Sequence, residues 1–263
     1  MSYLQKKFPW QKTLLALAAA AALSGVHAAD KPADKPAVAD KAPAAVAAVI
    51  RQTIEASRPD VKVQSVDPSE LAGLYAVQLA GGPVVYASGD GKFFLLGDLY
   101  QVQVKGFANL TEQRRNVDRA KAIADVKLSD MIVFKPKETK AVLNVFTDVE
   151  CGWCQHLHKD MAKLNALGIE VRYLAFPRAG IGSEDYQKMV TTWCAKDPAA
   201  TMTRYKNREA VPINTCKDNP VAAEYELGQR LGVEGTPALV TASGELIPGY
   251  LPPEELAKRL GLR

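Results

Sequence analysis

The tetrad Cys151-Gly152-Trp153-Cys154 lies between an apolar, β-branched run, "AVLNVFTDV", and a stretch without Gly or Pro that runs on to Leu167. That passage reads as a buried strand followed by a helix that opens on the two cysteines. Two thiols so placed serve as a metal clip, a crosslink or a reagent, and the rest of the chain bears on the choice.

A structural zinc site draws on two close pairs of ligands. The other cysteines, Cys194 and Cys216, are far apart in sequence, and His156 and His158 would have to turn back toward the thiols. No metal is expected. A crosslink across two residues closes too small a ring to remove much chain entropy, whereas a bridge between Cys194 and Cys216 is worth roughly 3 kcal/mol by the loop-entropy model. The wide pair is therefore the structural candidate and the close pair the reagent, although four cysteines allow three connectivities.

Position assigns roles within the close pair. Free N–H groups and the macrodipole at a helix start favour a thiolate at Cys151, the expected nucleophile. Cys154, one turn in, is expected to be more buried and to resolve a mixed disulfide formed by Cys151. Trp153 is read as an apolar platform beside the sulfur, against the alternative of plain surface packing. His156 reads as a solvated imidazole; His158 is either the same or a support for the thiolate. Asp148 either relays the proton of the buried thiol or caps the helix. Far along the chain, "GVEGTPALV" puts Thr236-Pro237 at the start of a strand. If that bond is cis, the Thr236 backbone can meet a bound polypeptide.

The N-terminus carries Lys6, Lys7 and Lys12, an apolar run from Leu14 to Leu23, and the small-residue stretch Ser24-Gly25-Val26-His27-Ala28. These are the parts of a secretory signal peptide, with cleavage expected after Ala28. The formal charge of +4 owes much to those three lysines. No Lys/Arg stripe interleaved with aromatics suggests a nucleic-acid partner. Residues 29–43, "ADKPADKPAVADKAP", have the composition of a disordered leader.

From residue 44 the pattern predicts a helix with Val46, Val49, Ile50 and Ile54 on one face, closed by Pro59. Short strands follow in "VKVQSVDP", "LYAVQLAG", "PVVYASG" and "FFLLGDLYQVQV", with a hairpin signal at Ser88-Gly89-Asp90-Gly91. Residues 110–130 form a charged helix, with Thr111 as its expected N-cap and Val117, Ala120, Ile123, Ala124 and Val126 as its buried stripe. It reads as a connection between two domains, or as a surface helix of one. After it come strand, CxxC helix, strand, helical region, hairpin and terminal helix, the order of a thioredoxin-like domain.

In combination, "FTDVECGWCQHLH", "GTPALV", the wide cysteine pair, "SGDGKFFLLGDLYQV" and the charged linker resemble the bacterial periplasmic disulfide isomerases of the DsbC/DsbG family, closest to its DsbC-type members. The resemblance implies an α+β chain: a cystatin-like dimerisation domain over 44–108, a linker helix over 109–130, and a thioredoxin-like catalytic domain with a helical insertion over 131–263. It also implies a V-shaped homodimer, active-site Cys151 and Cys154, a cis Pro237 preceded by Thr236, and a Cys194–Cys216 disulfide. Misfolded, disulfide-bonded exported proteins are the implied clients, with chaperone activity toward them, and a DsbD-type membrane reductase is the implied electron donor in the periplasm. The sulfur chemistry calls for no cofactor. Trp153 and Gln155 depart from the usual Tyr and His of the family. Strands around residues 84–104 are the expected dimer contact. Two rivals differ in class: a monomeric dithiol oxidase, and a non-enzymatic holdase whose activity would survive Cys151→Ala.

Overall fold

The computed structural model describes residues 42–262. The export signal expected over 1–28, and the expected leader up to residue 41, lie outside the described residues.

Helix α1 (Ala44–Ser57) presents Val46, Ile50 and Ile54 to a four-stranded antiparallel sheet, with Ile50 wholly buried. The sheet is a meander of β1 (Val63–Pro68), β2 (Leu74–Leu79), β3 (Val84–Ser88) and β4 (Phe94–Leu96). Val66, Val77 and Val85 face one another in register across three strands and make the stripe under Ile50. The expected Ser88–Gly91 turn joins β3 to β4. At its end Gly91 takes φ +68, and a Cβ there would stand 2.9 Å from Cβ of Thr53 on α1, so the close approach of helix and turn needs glycine.

"FFLLGDLYQVQV" is two strands, not one. Gly97, at φ +142, breaks it, and β5 (Tyr100–Gln103) leaves the sheet to pair with β6 (Gly106–Asn109) as a separate ribbon. The single-strand reading failed because both pieces are apolar and the sequence does not say which partner each takes. The ribbon and the adjoining β4 leave Phe93, Leu96, Val102, Val104 and Phe107 exposed.

Helix α2 (Leu110–Ala124) corrects two expectations. Its N-cap is Asn109, whose side chain accepts from the Glu112 N–H, while Thr111 is buried with its hydroxyl against the Tyr86 phenol at 2.6 Å. Its buried face is partly polar: Val117 and Ala124 are exposed, and Arg119 lies inside. The Arg119 guanidinium donates to Glu112, Asn116 and the carbonyls of Leu231 and Gly244, so hydrogen bonds replace the apolar stripe.

Beyond a short 3-10 turn at Leu128–Asp130, the chain builds a five-stranded sheet. Its elements are β7 (Ile132–Phe134), β8 (Ala141–Thr147), α3 (Gly152–Lys159), α4 (Met161–Ala166), β9 (Ile169–Ala175), α5 (Glu184–Trp193), α6 (Pro198–Lys206), α7 (Val221–Arg230), β10 (Ala238–Thr241), β11 (Leu246–Pro248) and α8 (Pro253–Arg259). The strand order is β11-β10-β8-β9-β7, with β8 and β9 parallel and the other pairs antiparallel. β8 is covered on both faces. Leu143 and Val145 join one core and Phe146 the other, which is why it reads as an unbroken apolar run. The helix expected to reach Leu167 is interrupted at Asp160, whose carboxylate binds Tyr250 and Lys163. The expected helical region is three helices, α5, α6 and α7, and the cap Asp197 with following Pro198 is the signal that marks the second.

Candidate active site

Strand β8 ends at Thr147, and the next residue organises the turn into α3. Asp148 is fully buried; one carboxylate oxygen accepts from the Glu150 N–H at 2.8 Å, the other from Arg178 N at 3.0 Å and Arg178 Nε at 2.9 Å. The turn delivers Cys151 to the N-cap of α3. There its sulfur receives the backbone N–H of Cys154 at 3.3 Å. A helix with a sulfur at its cap thus begins where its free N–H groups favour an anion.

The two thiols are driven apart electrostatically. Cys151 is lowered to about 5, chiefly by the hydrogen bond from the Cys154 thiol and further by the Cys154 N–H and the Arg178 guanidinium, against the opposing cost of burial. Cys154 is pushed far up, first by burial and then by the neighbouring Cys151 sulfur. The pair is thus biased toward one thiolate and one thiol, and of the two forms the thiolate is the nucleophilic one.

Facing the pair is the segment ahead of β10. The Thr236–Pro237 peptide is cis, and the Thr236 carbonyl oxygen lies 3.1 Å from the Cys151 sulfur. The Thr236 hydroxyl is buried without a hydrogen-bond partner. Beside it opens a groove of about 420 Å³ lined by Glu234, Pro237, Leu246 and Pro248 among others.

Two family models match the sequence: a disulfide bond isomerase protein N-terminal domain over residues 31–112, and a thioredoxin-like domain over residues 129–262. The chain is 39% identical to the thiol:disulfide interchange protein DsbC of Escherichia coli strain K12 over 213 residues, 81% of this chain and 86% of the relative. The DsbC of Dickeya dadantii matches at the same identity and coverage, and that of Pasteurella multocida is 36% identical over 75% of this chain and 89% of its own length. This chain belongs to the DsbC family. It is a thiol:disulfide interchange protein, a disulfide isomerase with an α+β architecture of DsbC N-terminal and thioredoxin-like domains.

Within this DsbC-family site, several expected residues converge and others do not. Cys151, Cys154, Thr236 and Pro237 come together. Cys194 and Cys216 are joined as a disulfide with Cα atoms 5.6 Å apart, while Cys151 and Cys154 are free thiols. Trp153 is 63% exposed and stacks on Tyr250 at 6.0 Å, with His156 edge-on to the same tyrosine at 4.6 Å. That makes an aromatic wall on the outer side of the motif, and Tyr250 was not foreseen.

His158 does not support the thiolate as a cation. It is buried between the Tyr173 phenol at 3.2 Å and the Thr203 hydroxyl at 3.1 Å, and burial, aided by Lys206, drives it down to about 4. A neutral ring carries no charge to the sulfur. The Asp148 carboxylate likewise makes its hydrogen bonds to Glu150 and Arg178 rather than to Cys154. Its part is to hold Arg178 beside Cys151. Gln155 donates to the Val149 carbonyl and accepts from Arg208, bracing the loop into α3.

Sequence reasoning missed Arg178 and Lys206. Both lie well away from the motif in sequence, in "AFPRAG" and "TRYKNRE". Only the fold brings them to the sulfurs. Among the described residues no cluster of His, Cys, Asp and Glu is arranged to hold a metal ion.

Proposed function

We propose that Cys151 is the attacking thiol and Cys154 the resolving thiol of a periplasmic isomerase whose clients are misfolded, disulfide-bonded exported proteins. The observation that carries this reading is the placement of the pair: the Cys151 sulfur at a helix N-cap accepts the Cys154 N–H, and Cys154 is buried one turn behind it, which favours the thiolate at the first and the thiol at the second. The Cys151 thiolate attacks one sulfur of a client disulfide, forms a mixed disulfide and frees the other client sulfur as a thiolate. That freed thiolate attacks elsewhere and reshuffles the pairing. If it does not, Cys154 displaces the client, which leaves reduced, and the enzyme is left oxidised.

The client backbone runs past Thr236 and Pro237, with apolar side chains against Trp153. Because each unproductive encounter oxidises the pair, the cycle needs an external reductant, and a DsbD-type membrane reductase fits that need. The periplasm supplies oxidised clients, and the amino-terminal pattern of residues 1–28 supports export. No helix among the described residues is long and apolar enough to cross a membrane.

The active form is a homodimer through the N-terminal domain, a reading supported by the match to the isomerase N-terminal domain and by exposed Phe93, Leu96, Val102 and Phe107. Exposed apolar side chains on paired strands, such as Val102 opposite Phe107, suit an interface. Sedimentation equilibrium of the chain lacking residues 1–28 tests it: a dimer is expected, and Val102→Asp with Phe107→Asp is expected to give monomer.

Reactivation of a scrambled multi-disulfide protein tests the enzymatic reading. The reduced chain is expected to catalyse it and Cys151→Ala is not. Rapid oxidation of a reduced client with no reshuffling would mean that electrons flow the other way.

A further inference from the structure

Lys206 closes α6 with its side chain inside the protein, 2% exposed. Its Nζ donates to the Thr147 hydroxyl at 2.9 Å and to the Asp148 carbonyl at 2.7 Å, and lies 5.8 Å from the centre of the Tyr173 ring. A buried ammonium is costly unless a counter-charge offsets it. The nearby acid, Asp148, already has both carboxylate oxygens engaged by Glu150 and Arg178. The other groups facing Lys206 are Cys154 and His158 from α3, Tyr173 from β9, Cys151 at the cap, and the Arg178 cation that Asp148 holds. His158 is neutral and Tyr173 is kept protonated by burial. The sulfurs are what remain.

We infer that Lys206 is the buried counter-charge that draws Cys154 into its thiolate form once Cys151 is bonded to a client, and so governs how fast the client is released. This rests on the assignment of Cys151 as attacking and Cys154 as resolving thiol.

The argument follows the charge. In the resting dithiol, the Cys151 thiolate balances Lys206. When Cys151 enters a mixed disulfide that charge vanishes, and with Asp148 tied to Arg178 the ammonium is left beside one ionisable sulfur, Cys154. Burial, with the Arg178 cation, pulls Lys206 down while the sulfurs and Asp148 push it up, and Lys206 in turn pulls Cys154 down. Each charge favours the other. The resolving step then balances: Cys154 gives its proton to solvent, and its thiolate attacks the Cys151 sulfur. The Cys151–client S–S bond breaks as the Cys151–Cys154 bond forms, and the client sulfur leaves as a thiolate that takes a proton from solvent. Two electrons pass from the enzyme dithiol to the client. Lys206 touches no client atom; it is a positioning residue.

A nitrobenzoate disulfide reagent that releases a coloured thiolate tests this on the full chain. Its first release reports attack by Cys151, and its second reports attack by Cys154 on the mixed disulfide. Two variants separate charge from hydrogen bonding: Lys206→Met removes both, and Lys206→Gln keeps a donor for Thr147 and Asp148 without the charge. The first release is expected to stay within about twofold in both variants, and the second to slow by about tenfold, the effect of roughly one unit of thiol pKa. The pH midpoint of the second release is expected to move upward in both. A second release in Lys206→Gln as fast as in the native chain, with an unmoved midpoint, would overturn the role of charge. Persistence of the first release in Cys151→Ala would instead overturn the assignment of the thiols.

Discussion

The Cys154 backbone N–H donates to the Cys151 sulfur across 3.3 Å, so the second cysteine itself favours ionisation of the first. One helical turn thereby separates a thiolate from a thiol. The same geometry favours a thiolate at the first cysteine over the second: the cap position meets free N–H groups.

Alkylation of the reduced chain at increasing pH should show Cys151 becoming reactive with a midpoint near 5. An ordinary thiol ionises near about 8.5, and at pH 5.5 only about a thousandth of it is thiolate. The sign follows from the depressed value. Ionised Cys151 stabilises the folded reduced chain fully above the ordinary thiol range, and that contribution is lost as pH falls through about 5. A midpoint of 8 or above, by mass spectrometry of the modified peptide, would contradict the cap geometry.

Glu224 is 2% exposed, with one oxygen accepting from Ala175 N at 2.6 Å and the other without a partner. Burial holds its carboxyl well above the usual range. A raised acid contributes stability that is complete below its unfolded value and is lost as pH rises through its folded value. Glu224→Gln keeps the acceptor and removes the titration. Its melting temperature is expected to gain on that of the native chain as pH is raised from 5 to 9; a gap that does not change with pH would refute this.

Gly244 carries the contact between the β10–β11 turn and α2. A Cβ there would stand 1.7 Å from the Asn116 carbonyl oxygen, and φ is +82. Gly244→Ala is expected to cost about 2–4 kcal/mol through overpacking and backbone strain together. Gly182, at φ +86 with nothing within 4 Å, supplies the control. Gly182→Ala should cost only about 1 kcal/mol, the backbone part. Urea unfolding of both variants checks the difference.

Joint replacement of Cys194 and Cys216 by Ala removes a bridge across a sequence separation of 22. The cost is expected to be about 3 kcal/mol by the loop-entropy model. Attack by Cys151 on a test disulfide should be unaffected, because the bridge lies outside the reacting pair. Equal urea midpoints for native and variant chains would mean that hydrogen bonds such as Asn214 to the Cys194 carbonyl already hold the loop.

Legibility in the sequence followed the range of the interaction. The β8 strand and the helix opening on Cys151 were readable because apolar runs, helix formers and the cysteine spacing act over a few residues. The fate of residues 93–104 was not, since the choice of strand partner depends on chain that is not adjacent. Thr111 looked like a cap, yet Asn109 caps α2 because the Tyr86 phenol and the Leu99 N–H take the Thr111 hydroxyl.

The sequence by itself determined that there would be a reactive cysteine at a helix start, a thiol one turn behind it and a separate, widely spaced pair. Local chemistry suffices for that, because a cap, a turn and a helix face are set by near neighbours. Tertiary structure decided which groups tune the sulfurs. It brought Thr236 to 3.1 Å from Cys151, fixed Arg178 on buried Asp148, and placed Lys206 inside the core. It also left His158 neutral. The physical reason is burial: a charge has its full effect only where water is excluded, and which side chains share a dry interior is settled when distant segments pack.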